Sequence, residues 1–214
     1  MMAHIAGLDQ ALFHLANGVW VSPILDKTMP ALSIAGNLGA IWLVVLGAVA
    51  AFGKKTGRRI ALAGLVALAI GFASSELLKD LTLRPRPFVA LDHARLLVGA
   101  PHSYAFPSGH TTSAFAAASG AAFAAKRLLG RVPLWAYAMF PLAAAIAYSR
   151  IYVGVHWPTD VAVGVLLGLA SGWAGARLVL RRWRRRTIRR SAEEAERAKT
   201  APEVEYVPEG VMRI

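Results

Sequence analysis

The sequence predicts an all-α integral membrane protein, a bundle of five to six transmembrane helices with an N-terminal interfacial helix. Hydrophobic residues make up 56% of the 214 residues and charged residues only 17%, which is more apolar than a typical soluble domain. The formal charge is nevertheless +12, and the cations are concentrated in short clusters between long uncharged stretches. A soluble protein would instead distribute its charges along every amphipathic helix.

Five segments are long and apolar enough to span a bilayer, since a spanning helix needs about 20 mostly apolar residues. They are approximately 31–52, 60–80, 108–129, 132–149 and 158–180. Ahead of them, apolar residues recur at helical spacing, which predicts an amphipathic helix lying on the membrane surface. These residues are Ile5, Leu8, Leu12, Leu15 and Val19. A sixth, short span over 8–30 is the alternative, and Pro23 and Asp26 disfavour it.

The basic clusters predict the orientation of the protein. With five spans, the 53–59 and 126–131 loops and the C-terminal tail lie on one side, and all three are rich in Lys and Arg. The positive-inside rule makes that side cytoplasmic. The chain is therefore expected to be a multi-pass protein of the cell (inner) membrane, with the 81–107 and 150–157 loops on the extracytoplasmic side.

The chain is predicted to have two parts, a membrane-embedded domain over 1–180 and a cytoplasmic tail over 181–214 that is first basic and then acidic. Membrane lipids, and not nucleic acid, are the expected partners of the arginine run, because Trp183 is its only aromatic neighbour. Three glycines at four-residue spacing in the fifth segment are expected to pack within the bundle instead of forming a dimer interface. They are Gly164, Gly168 and Gly172. The oligomeric state is left open.

Polar residues at membrane depth are candidates for function, and here they form three clusters. The second span ends with Lys79 and Arg86, and the third begins with Ser108, Gly109 and His110. The fourth ends with Arg150, and the fifth begins with His156 and Asp160. Because successive spans alternate in direction, all three clusters are expected to meet on one side of the membrane.

The residue types in these clusters suit a tetrahedral anion. Lys79, Arg86 and Arg150 supply positive charge and hydrogen-bond donors for phosphate oxygens. Ser108 and Gly109 begin a helix, where free backbone N–H groups favour an anion. The sequence contains no cysteine and no cluster of carboxylates suited to Mg²⁺. No metal or other cofactor is therefore predicted.

A nucleophile and an acid are also present. Pro158 is suited to the first position of a helix, which places Asp160 in the first turn and His156 just before it. The Asp160 carboxylate can then accept the Nδ1 proton of His156 and leave Nε2 free to attack phosphorus. His110, beside the phosphate donors, can protonate the departing oxygen.

These residues match three signatures, K-x6-RP, PSGH and SR-x5-H-x3-D, in order and with no departure at any position. The chain thereby resembles the type 2 phosphatidic acid phosphatase superfamily. The resemblance implies a metal-independent phosphohistidine mechanism, with His156 as nucleophile, Asp160 as its partner and His110 as acid. It also implies that six residues bind the phosphate: Lys79, Arg86, Ser108, Gly109, His110 and Arg150.

The resemblance implies a lipid phosphate or diphosphate substrate, and undecaprenyl diphosphate is expected because an outward-facing site suits recycling of this carrier. Phosphatidylglycerophosphate, phosphatidic acid and lipid A phosphates are the alternatives, as is a phosphotransferase that uses the same intermediate. A binding or transport protein is disfavoured by the intact His156 and Asp160. Four further basic residues are expected to contact lipid headgroups and not the substrate: Arg84, His93, Arg95 and His102.

Overall fold

A computed structural model describes residues 2–200, apart from the side chains of 2–5, 38, 186–188, 190–191 and 195–200. The described residues form eight α-helices and no strand, which agrees with the predicted all-α class. The helices are α1 (Met2–His14), α2 (Pro23–Ala35), α3 (Ala40–Phe52), α4 (Lys54–Thr82), α5 (Pro87–Ala90), α6 (Gly109–Leu129), α7 (Leu134–Tyr152) and α8 (Pro158–Thr200). The acidic part of the tail begins within the described residues, at Glu193, Glu194 and Glu196, and its remaining acidic residues lie in 201–214, outside them.

The chain divides into two compact units, Met1–Leu180 and Arg181–Ile214. The first contains the helical bundle and all the residues of the three polar clusters. The second is helical as far as Thr200, and within it Arg189 pairs with Glu193 one turn later at 2.7 Å. Both side chains are exposed, so this pair adds little stability.

Three helical segments of the described chain are long and apolar enough to cross a membrane: Lys54–Ala90, Leu134–Tyr152 and Pro158–Arg185. A fourth span results if α2 and α3 are counted together, although they meet at 62°. The prediction of one uninterrupted helix over 31–52 is therefore wrong. The helix breaks at Asn37–Gly39, a short 3-10 turn in which Gly39 has a φ of 71°.

Helix α6 is less apolar than the three spanning segments, and for this reason the count is below the predicted five. Its sequence is rich in alanine, serine and threonine, and most of these residues are buried. It lies at the centre of the bundle against α4 and α7. A central helix can be rich in small and hydroxyl residues because it faces protein on most sides and not lipid.

The glycines of α8 permit close packing against α6. A Cβ atom at Gly168 would lie 2.7 Å from the Cβ atom of Phe115, and one at Gly172 would lie 2.8 Å from the backbone nitrogen of Gly120. Both distances are too short for real carbon contacts, so the two backbones could not approach this closely with larger residues. The prediction that these glycines pack inside the bundle is confirmed.

Helix α1 exposes its leucines and buries Asp9 and Phe13. Leu8 and Leu12 are 61% and 42% exposed, whereas Asp9 and Phe13 are only 2% and 1% exposed. A π-helical turn, Leu15–Val19, continues the helix and buries Asn17. The exposed leucines suit contact with lipid, as predicted for an interfacial helix, while the buried polar residues face the rest of the protein.

Candidate active site

The polar ends of α4, α6 and α7 surround a cavity of about 400 Å³. The described residues that line it include three cations and no carboxylate. Six of the predicted site residues are among them: Lys79, Arg86, Gly109, His110, Arg150 and His156. Part of the wall is completed by α2 and by the segment between α5 and α6, which were not predicted to contribute: Ser33, Ile34, Asn37, Leu97, Val98, Gly99, Pro101 and Ser103.

Arg86 is 4% exposed and uses all five of its N–H groups. Nε donates to the Ser103 carbonyl at 2.7 Å, and Nη2 donates to the Ser103 hydroxyl and the Tyr104 carbonyl, each at 3.1 Å. Nη1 donates to the Val155 carbonyl at 2.8 Å and lies 3.2 Å from Nε2 of His156. The guanidinium therefore joins the α5–α6 segment to the loop that holds the histidine.

Arg150 has fewer partners. Its Nη1 donates to the hydroxyl of Ser33 on α2, and its Nε is buried without any hydrogen-bond partner. Among the described residues it forms no ion pair with a carboxylate, in contrast to Lys79, whose ammonium lies 2.6 Å from Glu76. A buried cation with an unused donor is costly unless an anion or water completes it, so this corner of the cavity favours an anionic ligand.

The start of α6 follows the sequence prediction in part. Ser108 caps the helix, with its hydroxyl accepting from the Thr111 backbone N–H at 3.5 Å and from the Thr111 hydroxyl at 3.0 Å. It is fully buried and does not line the cavity. Gly109 does line it, and a Cβ atom there would lie 3.3 Å from the Lys79 ammonium. His110 Nε2 lies 2.8 Å from Oδ1 of Asn37, in the break between α2 and α3.

His156 lies in the loop before α8, which begins at Pro158 as predicted. Its ring is 2% exposed, and its Nδ1 lies 3.5 Å from Oδ2 of Asp160. Burial, together with the positive charges of Arg86 and Arg150, lowers the pKa of His156 well below its ordinary value of 6.5. The ring is therefore neutral near pH 7.

The Asp160 carboxylate is fixed by two other groups. Its Oδ2 accepts from the Trp157 backbone N–H at 2.8 Å, and its Oδ1 accepts from Arg84 Nη1 at 2.5 Å. The backbone N–H of Ser108 also donates to the Asp160 carbonyl at 3.0 Å. The starts of α6 and α8 are thus joined directly behind the cavity.

Arg84, which was predicted to contact lipid headgroups, is paired within the protein. It bridges two buried carboxylates, pairing through Nη2 with Asp9 of α1 and through Nη1 with Asp160. Its guanidinium also lies 5.4 Å from the ring centroid of Trp157. Asp9 in turn accepts from the backbone N–H of Thr159 at 2.8 Å and from its hydroxyl at 2.7 Å.

Arg95 is likewise paired within the protein. Its Nη2 donates to Asp26 at 2.7 Å, and Asp26 also accepts from the Tyr152 hydroxyl at 2.7 Å. The side-chain amide of Asn17 donates to the Arg95 carbonyl at 2.9 Å and to the Tyr152 carbonyl at 2.7 Å. These bonds attach the segment after α5, which forms one wall of the cavity, to α2, α7 and the turn after α1.

The sequence contained a signal for the residues of α1 that the prediction missed. Asp9, Phe13, Ala16 and Asn17 recur at helical spacing and share one face. A helix face with a polar residue at each end is expected to pack against protein. The opposite face of α1 is apolar and can contact lipid. Glu76, Ser33 and Asn37 had no comparable signal.

In the described part of the chain, no group of three or more His, Cys, Asp or Glu side chains is arranged to hold a metal ion. Positive charge at the cavity comes from the side chains of Lys79, Arg86 and Arg150. The arrangement can bind a tetrahedral anion and present a neutral imidazole to it.

Sequence and structure comparisons connect this site to known proteins. The model of the PAP2 superfamily matches residues 60–184. An undecaprenyl-diphosphatase of Sulfolobus acidocaldarius is 34% identical over 163 residues, which cover 76% of this chain and 74% of the relative. Two solved structures are also similar.

The crystal structure of LpxE of Aquifex aeolicus has a TM-score of 0.61 and 30% identity, covering 79% of this chain and 95% of that one. A PAP2-type phosphatidylglycerolphosphate phosphatase of Bacillus subtilis has a TM-score of 0.66 and 25% identity, covering 82% and 86%. The family match covers more than half of the chain and includes all three polar clusters. The chain belongs to the PAP2 superfamily, and it is a membrane lipid phosphatase.

Proposed function

We propose that the protein hydrolyses undecaprenyl diphosphate on the extracytoplasmic face of the membrane, through a phosphohistidine formed on His156. The observation that carries the mechanism is the 3.2 Å separation between Arg86 Nη1 and His156 Nε2. A guanidinium can only donate hydrogen bonds. Nε2 must therefore accept, so the neutral ring carries its proton on Nδ1, facing Asp160, and keeps a lone pair on the cavity side.

The first step forms a bond between Nε2 and phosphorus and breaks the bond between phosphorus and the leaving oxygen. His110, which carries a proton on both ring nitrogens once the anionic substrate lies among the cations, supplies the proton that this oxygen takes up and becomes neutral. The imidazole of His156 is then cationic, and the Asp160 carboxylate stabilises it through Nδ1–H. In the second step water attacks phosphorus, Nε2 leaves with the bonding electrons, and the proton of the water returns to His110.

The cations of the cavity supply the charge stabilisation that both steps need. Lys79 and Arg150 face the space in front of Nε2, and Arg150 retains a buried donor that has no protein partner. Arg86 has no spare N–H, so a phosphate oxygen would bind to it by replacing His156 Nε2 or the Ser103 hydroxyl. Donors that are already oriented at the position of developing charge contribute strongly to catalysis.

The proposal for the substrate is supported by a relative and by the charge pattern. The Sulfolobus relative is named an undecaprenyl-diphosphatase. The basic start of α4, which was predicted as a 53–59 loop, and the basic α6–α7 connection lie at the opposite ends of the helices from the cavity. By the positive-inside rule those basic regions are cytoplasmic, which favours an outward-facing site and a cytoplasmic basic tail.

The test is phosphate release by the detergent-purified protein from undecaprenyl diphosphate, phosphatidylglycerophosphate and phosphatidic acid, each with excess EDTA. We expect the diphosphate to be the fastest substrate, and a label from its terminal phosphate to be trapped on the wild-type chain after acid-free quenching. His156→Ala should show neither release nor trapping. Activity that persists in His156→Ala would overturn the mechanism, and a faster rate with another lipid would overturn the substrate assignment.

The same trapping experiment distinguishes hydrolysis from phosphotransfer. If a labelled lipid or alcohol accumulates in place of inorganic phosphate, the intermediate at His156 is retained and water is not its acceptor. A hydrolase yields inorganic phosphate in the same amount as dephosphorylated lipid.

A further inference from the structure

The N-terminal helix makes a charged contact directly behind the proposed nucleophile. Asp9 is 2% exposed, although it lies on a helix whose leucines are exposed. Its Oδ1 accepts from the backbone N–H of Thr159 at 2.8 Å, and its Oδ2 accepts from the Thr159 hydroxyl at 2.7 Å and pairs with Arg84. It thereby reaches the first turn of α8 from a position 150 residues earlier in the chain.

Helix capping alone does not account for this arrangement. A neutral side chain such as Asn or Ser would cap the helix about as well, without the cost of burying a charge. What distinguishes a carboxylate at this position is the pairing with Arg84. Arg84 is also the group that holds Oδ1 of Asp160, at 2.5 Å.

The three charges are paired in succession, Asp9 with Arg84 and Arg84 with Asp160, and Asp160 lies beside the proposed nucleophile. Asp9 is negative, Arg84 is positive and Asp160 is negative, so the chain of three has a net charge of −1. If Asp9 were neutral, the charge of Arg84 would offset that of Asp160, and the field at His156 Nδ1 would be close to that of a neutral pair. Asp9 therefore allows Arg84 to orient Asp160 without cancelling its effect on the imidazole.

We propose that Asp9 and Arg84 are positioning residues for catalysis: Asp9 compensates the charge of Arg84, and Arg84 holds the Asp160 carboxylate in place to stabilise the phosphorylated His156. The inference rests on the proposed function of His156 and Asp160. It makes helix α1 a part of the catalytic apparatus, in addition to its contact with lipid. Neither residue touches the cavity, so both act through Asp160.

The main test is a double-mutant cycle on the full-length protein, with undecaprenyl diphosphate as substrate. We expect Asp9→Asn to lower kcat at least tenfold while KM changes less than twofold, because the phosphate-binding side chains are untouched. In an Asp160→Asn background, Asp9→Asn should have almost no further effect on the residual rate. An equal fractional loss in both backgrounds would show that Asp9 acts independently of Asp160 and would overturn the proposal.

Two further variants separate charge from shape. Asp9→Glu keeps the charge and should recover most of the kcat that Asp9→Asn loses. Arg84→Lys keeps a cation but cannot bridge two carboxylates in one plane, so its kcat should fall, again only when Asp160 is intact. This second variant provides the same test if Asp9→Asn fails to fold.

Asp26→Asn is the matched control. Asp26 also pairs with an arginine near the cavity, Arg95 at 2.7 Å, but its side chain bonds to Arg95 and Tyr152 and not to Asp160 or His156. Its effect on kcat should be the same whether Asp160 is present or replaced. If His156→Ala is inactive and Asp9→Asn is fully active, only this inference fails, whereas activity in His156→Ala would remove the proposed mechanism itself.

Discussion

Nδ1 of His156 faces Oδ2 of Asp160 at 3.5 Å and has no hydrogen-bond partner among the described residues. Both Asp160 oxygens are already bound, by Arg84 and by the backbone of Trp157. The pair is therefore in place but loose while the ring is neutral. In the proposed mechanism phosphorylation makes the ring cationic and tightens the pair, and an interaction that is stronger in the transition state than in the ground state accelerates the chemical step.

Replacement of Asp160 should consequently affect the chemical step more than binding. We expect Asp160→Asn to lower kcat by about 10²–10⁴-fold with little change in KM, because the carboxamide carries no charge to stabilise the imidazolium. Steady-state kinetics on undecaprenyl diphosphate, with single-turnover trapping of the phosphoenzyme, measures this. A rise in KM at constant kcat would place Asp160 in substrate binding instead.

The burial of neutral His156 should make stability dependent on pH. Its folded pKa lies below the ordinary value of 6.5, so the unfolded state binds the proton first as the pH falls. Below pH 6.5 the free energy of unfolding should thus decrease, by up to about 1.4 kcal/mol per pH unit for one proton. His156→Gln should lose this component. The difference in thermal midpoint between wild type and variant, measured from pH 7.5 to 5 in detergent, tests it; a difference that does not change with pH contradicts it.

The unpaired donor of Arg150 predicts binding of inorganic phosphate. Phosphate should raise the thermal midpoint of the wild type, with a stabilisation of about 2.7 kcal/mol when its concentration is a hundred times its Kd. Arg150→Gln should remove most of this stabilisation. Arg131→Gln, which removes an exposed cation at the α6–α7 connection, should retain it. Equal losses in the two variants would indicate non-specific binding to the basic surface.

The glycine contact between α8 and α6 predicts unequal effects of the same substitution. Gly168→Ala places a methyl group 2.7 Å from Phe115 and should destabilise the bundle by about 1–3 kcal/mol. Gly47→Ala adds the methyl group to α3 where no atom lies within 4 Å, so it should be neutral or slightly stabilising. Thermal unfolding in detergent compares the two. Similar midpoints would show that α6 and α8 are not closely packed.

The orientation can be tested with single cysteines, because the sequence contains none. His102 and Arg131 are both exposed and lie on connections at opposite ends of the helices. A membrane-impermeant thiol reagent added to intact cells should label His102→Cys and should label Arg131→Cys only after the cells are opened. The reverse pattern would place the cavity on the cytoplasmic side.

The sequence by itself determined the all-α membrane class and six of the residues that line the cavity. Both follow from local pattern: apolar stretches of spanning length must be helical in lipid, and the ends of successive spans alternate between sides. That alternation was enough to bring Lys79, Arg86, His110, Arg150 and His156 together. The starts of α6, after Ser108, and of α8, at Pro158, could also be predicted from the sequence, since capping depends on the neighbouring residues alone.

Only the tertiary structure decided which polar residues meet behind the cavity. The sequence predicted that Arg84 contacts lipid and that Ser108 faces phosphate, whereas Arg84 bridges Asp9 and Asp160 and the Ser108 hydroxyl stays within the cap of α6. Asp9 and Arg84 are 75 residues apart. The helical spacing of α1 does not specify which side chain of another helix or loop Asp9 will contact. Such pairs depend on how whole helices pack, and packing is set by the shape of both surfaces at once.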